Sequence, residues 1–328
     1  MLVTGAAGFV GGALVRRLRA RGATVVGVDI RGPFEFADIT DPGDVVGLVV
    51  RLKPRAIVHA AARVDDRGAL SAFVRVNVEG TRNLVHAALS GDVERLVHLS
   101  SIVVVGLSPG VAGRMDARGS DGRPLVFDTG SPYFDTKARA EQVVREAMAQ
   151  DGLPAVIIRP GDVYGLGSQP WVQRPLALMR RRVPLLIDGG RGLIAHTWID
   201  NLVDALVLAL GSREALGEVL TITDGSDSTT YGEYFSRLAA AGDAPRPRGR
   251  VSRRVALGLV GGVERACSVL RISPPFTRHA IEYVCRRATY PISRARAVLG
   301  YEPAVTLDEG MRRLAEQLRR GEPAAMES

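Results

Sequence analysis

The chain is poor in cysteine, aromatics and long apolar runs, and each shortage removes a class of function. Its two cysteines, Cys267 and Cys285, stand late and outside any ligand-like cluster, so neither a disulfide framework nor a metal site is expected. A reducing cytoplasm is the expected compartment. With 5% aromatic residues there is no stacking platform for nucleic acid, and no nucleic-acid motif accompanies the net charge of +8. Nucleic acid is therefore not expected as a partner. The uncharged run Val255 to Val263 falls far short of the roughly 20 apolar residues a spanning helix needs. The chain begins almost inside its first strand, so no secretory leader is expected. The arginine surplus thickens at Arg180 to Arg182 and Arg246 to Arg254 and reads as a solvated surface. Peripheral membrane contact by residues 250–272 is the lesser reading. At 328 residues, 46% hydrophobic and 24% charged, the chain can form one large domain or two interleaved ones.

What is present begins with Val3-Thr4-Gly5-Ala6-Ala7-Gly8-Phe9-Val10-Gly11-Gly12. A β-branched run enters it, and Val10, Leu14 and Leu18 leave it at helical spacing toward Gly22, as strand, tight turn and capped helix would require. Glycines at 5, 8 and 11 permit close backbone approach to a pyrophosphate resting on the helix N-terminus. Taken alone, such a turn resembles a bare strand-to-helix connection, the lesser reading, and its spacing departs from Gly-x-Gly-x-x-Gly. Met1 stands so close to Gly5 that the first strand must be very short, so the central strand is expected to be clipped or the natural start to lie upstream. A second strand, Thr24 to Asp29, ends in a carboxylate 18 residues after Gly11, where an acid accepts from ribose hydroxyls and repels a 2′-phosphate. NAD is favoured over NADP. Arg31, two residues on, keeps NADP open.

Asp41 and Pro42 read as N-cap and first residue of a helix to about Leu52. Ala56 to His59 reads as a strand opening into Ala60-Ala61-Ala62, with His59 a strand-end residue rather than a base. A helix from about Ala69 to Leu89 carries Asn77, and Arg95 to Ser101 is the next strand. The stretch from Val104 to Gly130 is a long loop expected to overlie the substrate. Tyr133 and Lys137 share one helix face, and Ala155 to Pro160 is a strand covered on both sides. The second half reads as a short helix at Pro175 to Arg182, strands at Leu185 to Ile187, His196 to Asp200 and Glu218 to Thr223, and helices at Asn201 to Leu210, Thr230 to Ala241 and Leu307 to Arg319. Alternating strands and helices predict an α/β fold with a Rossmann-type, doubly wound parallel sheet. The expected division assigns 1–160 plus 196–225 to the dinucleotide-binding domain. Residues 161–195 plus 226–320 then form a smaller, interleaved α/β substrate-binding domain, and 321–328 a disordered tail.

A tyrosine and a lysine four apart, downstream of a dinucleotide turn and a strand-end serine pair, can move a hydride to or from an alcohol carbon. Free tyrosine titrates near 10, so Lys137 is expected to lower Tyr133 toward neutrality. Ser101 would hydrogen-bond the substrate oxygen, and Asn77 would hold a water or backbone group that relays protons onward through Lys137.

With Thr4-Gly5-x-x-Gly8-Phe9-x-Gly11, Asp29, Asp38-Ile39, His59-Ala60-Ala61, Asn77-Val78-x-Gly80-Thr81, Ser100-Ser101, Tyr133-x-x-x-Lys137, Arg159-Pro160-x-x-Val163-Tyr164-Gly165 and Ile199-Asp200-Asn201 in order, the chain resembles an extended short-chain dehydrogenase/reductase. That group includes nucleotide-sugar epimerases and 3β-hydroxysteroid dehydrogenases. The resemblance implies a catalytic set of Ser101, Tyr133 and Lys137 with Asn77 behind it. It also implies cofactor contacts at Gly5, Gly8, Phe9, Val10, Gly11, Asp29, Arg31, Asp38, Ile39, Ala60, Ala61, Ala62, Tyr133, Lys137, Pro160 and Val163. A small-molecule substrate and a homodimer are implied too. Sugar-nucleotide enzymes of the group usually carry an Arg-Asp pair gripping the diphosphate. Ile194 and Ala195 stand there instead, although Arg191 lies close by. Val105 stands where sugar epimerases commonly place tyrosine, and Pro274-Pro275-Phe276-Thr277-Arg278 resembles a segment of 3β-hydroxysteroid dehydrogenase-like reductases. The leading expectation is an oxidoreductase acting on a mainly apolar secondary alcohol or ketone, steroid-like or β-hydroxy/β-keto acyl. A nucleotide-sugar epimerase or dehydratase with tightly held NAD is the alternative, and a non-catalytic dinucleotide-sensing scaffold the remote one.

Overall fold

The computed structural model describes residues 1–64, 68–107, 123–183, 186–247, 251–270 and 277–321. In chain order come β1 (Leu2–Thr4), α1 (Phe9–Ala20), β2 (Val26–Asp29), β3 (Glu35–Phe36), α2 (Pro42–Leu52) and β4 (Ala56–His59). A helix in three parts follows, α3 (Leu70–Phe73), a π-helical stretch (Val74–Glu79) and α4 (Gly80–Ser90). Then come β5 (Arg95–Leu99), a 3₁₀ turn at Ile102–Val105, α5 (Pro132–Gln150), β6 (Ala155–Pro160) and β7 (Asp162–Tyr164). The second half holds α6 (Arg174–Arg180), β8 (His196–Trp198), α7 (Ile199–Gly211), β9 (Val219–Ile222), α8 (Tyr231–Ala241), α9 (Arg253–Leu270), α10 (Arg278–Val284), α11 (Ser293–Leu299) and α12 (Leu307–Arg319).

Seven strands form one parallel sheet in the order β3-β2-β1-β4-β5-β6-β9. This is the doubly wound order, with the strand sequence reversing between β1 and β4, and ligands of such sheets sit outside the carboxyl ends at that reversal. β7 and β8 pair separately, Val163 opposite Thr197. Alternation within each strand feeds two cores. Val3, Val58, Val97 and Val156 face α1 and α7, whereas Leu2, Ile57, Leu96 and Ile157 face α2, α4 and α5. Strands buried on both faces need such unbroken apolar runs, and each fully buried Val, Leu or Ile contributes roughly 1.5–3 kcal/mol. Asp41 caps α2, its carboxylate accepting from Gly43 N at 2.7 Å and Asp44 N at 3.2 Å. Ser131 caps α5 ahead of Pro132.

Several expectations shift. β2 starts at Val26, not Thr24. The two-residue β3 after Gly32-Pro33 lacks the length to announce itself as a strand. The helix through Asn77 is continuous but contains the π stretch. Ile187 makes only an isolated bridge to Val251, Leu185 lying outside the described residues. The loop centre at 108–122, Pro274 to Phe276 and the tail from 322 also lie outside them. Cys267 and Cys285 are free thiols. Among the described residues no helix is long and apolar enough to cross a membrane.

Candidate active site

The glycine turn lies at the carboxyl end of β1, beside the reversal. Gly5 has φ +73°, and a Cβ there would stand 2.7 Å from Ala61 N. A Cβ on Gly11 would meet Gly5 O at 2.1 Å, so only glycine lets α1 start this close over the turn. Gly8 caps α1 with no side chain, leaving the helix N-terminus to the space above. Phe9 and Val10 open the helix half-buried. The Asp29 carboxylate accepts from Ala7 N at 3.1 Å and Arg31 N at 3.2 Å. The Arg31 guanidinium is 4.0 Å from the same carboxylate and 67% exposed. Turn, helix end and strand-end acid thus form the cradle that a dinucleotide requires. Beyond β3, Asp38 accepts from Thr40 N at 2.9 Å. Ile39 is a core residue packed against Gly80, where a Cβ would lie 2.7 Å from Ile39 Cδ1.

Ala60, Ala61 and Ala62 line the exit of β4, half-buried. His59 is held between Thr4 Oγ1 at 2.8 Å and Thr81 Oγ1 at 3.0 Å. Burial, then the nearby Lys137 charge, pushes it down to about 3. It is a neutral strand-end residue. Asn77 is buried and holds a backbone group: its Oδ1 accepts from Arg63 N at 2.7 Å, and its Nδ2 donates to Arg63 O at 3.1 Å and Thr136 Oγ1 at 3.0 Å. The π stretch therefore clamps the chain beyond β4 to α5.

Ser101 caps the 3₁₀ turn, its hydroxyl accepting from Val103 N at 3.4 Å, and it stands near enough to Tyr133 in the first turn of α5 to favour the ionised phenol. Lys137 Nζ donates to Leu99 O at 2.6 Å and is buried. Burial lowers it to about 8 against the opposing pull of Glu141. The expected lowering of Tyr133 by Lys137 is corrected here. Burial raises the phenol above its ordinary value, the nearby Ser101 hydroxyl is what opposes this, and the ammonium is bonded to the β5 carbonyl. Pro160 ends β6 buried, and Val163 sits half-buried on β7.

The sequence reading missed the groups that hold this set in place. Glu141, one turn beyond Lys137, is completely buried and accepts from Ser100 Oγ at 2.5 Å, Arg159 Nε at 3.0 Å, Arg159 Nη2 at 2.6 Å and Arg145 Nε at 2.8 Å. Its spacing from Lys137 was the available signal. Asp162 accepts from Tyr283 OH at 2.6 Å and Ala195 N at 3.0 Å and pairs with buried Arg286. Arg286 lies over the Tyr283 ring at 3.9 Å and the Tyr231 ring at 5.3 Å. Tyr133 itself packs with Phe134 and Tyr283 against Ile102, Val105, Ala195 and Tyr290. Ile194 and Ala195 are buried and Arg191 is exposed.

The sequence model of the NAD dependent epimerase/dehydratase family matches residues 1–222. This chain belongs to that family. It is an enzyme of the extended short-chain dehydrogenase/reductase type, and NAD is the family's cofactor. Among family members it is 32% identical to the 2-alkyl-3-oxoalkanoate reductase of Stenotrophomonas maltophilia, over 96% of this chain and 98% of that one. It is 28% identical to the decarboxylating sterol-4-alpha-carboxylate 3-dehydrogenase of Schizosaccharomyces pombe, over 95% of each. The fold is shared with Thermus thermophilus UDP-glucose 4-epimerase solved with NAD, at a TM-score of 0.72 and 22% identity, covering 97% of this chain and 98% of that one. Family members thus include both oxidoreductases and sugar epimerases.

Proposed function

We propose that the chain is an NAD(H)-linked oxidoreductase that interconverts a secondary alcohol and a ketone on a mainly apolar substrate, steroid-like or β-hydroxy/β-keto acyl. The observation that carries this reading is the charge state of the wall behind Tyr133. Each buried cation near it is already engaged: Arg286 pairs with Asp162 among the rings, Arg123 lies over the Tyr290 ring and donates to Thr289 O, and Lys137 donates to Leu99 O. The positions expected to hold a phosphate clamp carry buried Ile194 and Ala195, with Arg191 turned to solvent. Burying an anionic diphosphate with no cation left to meet it beyond those already engaged is costly, whereas an alkyl chain gains from such a wall. The reductase and sterol dehydrogenase relatives support the same choice.

In this reading Gly5, Gly8, Gly11, Asp29 and the alanines after β4 hold the dinucleotide, which supplies or accepts the hydride. Tyr133 exchanges the hydroxyl proton, and its raised pKa keeps the phenol protonated at neutral pH, suiting donation to a ketone being reduced. Ser101 shares the substrate oxygen with Tyr133. Lys137, near 8, is mostly ammonium at neutral pH and anchors α5 to β5. Residues 161–195 and those after 225 supply the substrate side, and a homodimer in the cytoplasm completes the proposal.

A panel of 2-alkyl-3-oxo acids and 3β-hydroxysteroids, scored by NADH formation or consumption, tests it. Turnover on an apolar member, without a rise in melting temperature from UDP-glucose, is expected. Stabilisation by UDP-glucose with no turnover of apolar alcohols or ketones would establish the epimerase reading instead, which the shared fold with UDP-glucose 4-epimerase supports.

A further inference from the structure

Helix α9 is apolar on two sides, an arrangement that an ordinary surface helix avoids. One side carries Ala256 and Val260, buried with Ile281 of α10 and flanked by Ile187 and Val251. The other carries Val255, Leu259 and Val263 at 55%, 64% and 40% exposure. Spaced four apart, these three lie on one stripe about 12 Å long. Gly258 and Gly262 continue the stripe, and a Cβ at either would meet nothing within 4 Å. An exposed row of branched side chains on bare backbone invites a cover.

The charges around the stripe select the kind of cover. Arg253 and Arg254 are exposed at the start of α9, and the exposed Arg278 brings its guanidinium alongside Gly261. Glu282 lies 4.0 Å from Arg253 and the Asp188 carboxylate accepts from Arg253 N at 2.7 Å, while Arg254 and Arg278 keep the rim basic. A second copy seated on the stripe would set arginines against arginines, whereas an anionic lipid surface complements them, and the net charge of +8 steers the whole chain the same way. Interfacial helices combine these features, apolar branched residues on one stripe and arginines at its margins. We propose that α9 is a reversible docking surface for anionic membranes.

Its position gives the docking a use. α9 packs on α10, whose His279 bonds Thr129 O and stacks edge-on with Phe134, the neighbour of Tyr133. A membrane held at α9 therefore lies one helix away from the mouth of the site, where an apolar substrate could pass without crossing bulk water. The docking itself does not depend on the substrate assignment.

Flotation of the full-length protein with vesicles tests the proposal. The lipids are phosphatidylcholine alone and a mixture of phosphatidylcholine and phosphatidylglycerol. Binding to the mixed vesicles, weaker by about tenfold or more on phosphatidylcholine alone and screened by salt, is expected. Leu259→Gln with Val263→Gln, and separately Arg253→Gln with Arg254→Gln, should each reduce binding about tenfold or more. Melting temperature and NADH affinity should not change in either. The proposal is overturned if wild type ignores anionic vesicles, or if binding survives the Leu259 and Val263 changes. It is equally overturned if sedimentation shows those changes splitting a dimer that binds no vesicles.

Discussion

Replacing Glu141 by Gln keeps the shape and removes the charge at the most connected buried acid of the site. The carboxylate receives four donors, and both it and Arg159 have side chains with 0% exposure. In the variant Arg159 stays buried without its counter-charge, and the amide NH₂ faces donors rather than acceptors. Removing one partner of such a pair costs about 3–5 kcal/mol. For a chain of this size, near the low end of ~2 °C per kcal/mol, this is a fall of roughly 6–10 °C in melting temperature. Burial pushes the Glu141 carboxyl up, but Arg159, Arg145 and the Ser100 hydroxyl together outweigh it and hold the group below its ordinary range. The unfolded chain thus binds more protons than the folded one between the lowered value and the ordinary one. The stabilisation is complete above the ordinary carboxylate range and lost as pH falls through the lowered value, so wild type and variant should converge only in acid. Thermal melts by circular dichroism across pH measure both effects. Glu141→Leu with Arg159→Met, an apolar replacement of the pair, should regain part of the loss. A single-variant loss below about 1 kcal/mol, or a double variant as unstable as the summed singles, would refute the reasoning.

Other expectations concern the site directly. Tyr133→Phe should lower turnover by about 10²–10⁴-fold while NADH binding, followed by fluorescence, stays near wild type; retained turnover removes Tyr133 from the chemistry. Gly11→Ala places a methyl 2.1 Å from Gly5 O and should cost about 1–3 kcal/mol together with NADH affinity. Asp29→Ser removes the carboxylate beside Arg31 and should shift the ratio of NADP to NAD turnover upward; an unchanged ratio would mean that Asp29 does not select the cofactor.

Local signals carried most of the fold. Asp41 followed by Pro42 announces the start of α2, and the unbroken apolar run Ala155 to Ile158 in β6 declares a strand covered on both faces. The expected strand Ala56 to His59 and the helix Leu307 to Arg319 match β4 and α12 residue for residue. What stayed hidden depends on partners distant in the chain. Asn77 sits in a π stretch and bonds Arg63, 14 residues back, and Thr136, 59 residues ahead, and no periodicity encodes either contact. Asp162 and Arg286 are 124 residues apart, so their mutual neutralisation exists only after folding. The pKa of Tyr133 was misjudged for a related reason. A lysine four residues on guarantees a shared helix face, but the fold decides whether its ammonium meets the phenol or a strand carbonyl.

Helix α5 touches the site at successive points along one face. Tyr133 packs on the 3₁₀ turn that Ser101 caps, Thr136 bonds Asn77, Lys137 bonds Leu99, and Glu141 bonds Ser100 and Arg159. These anchors lie on different segments, so the helix acts as a gauge whose markings must all align together. An insertion or deletion within it would rotate every later marking by about 100°. Substitution at fixed length is therefore the change α5 can absorb, whereas the loops that it does not measure can absorb insertions and deletions.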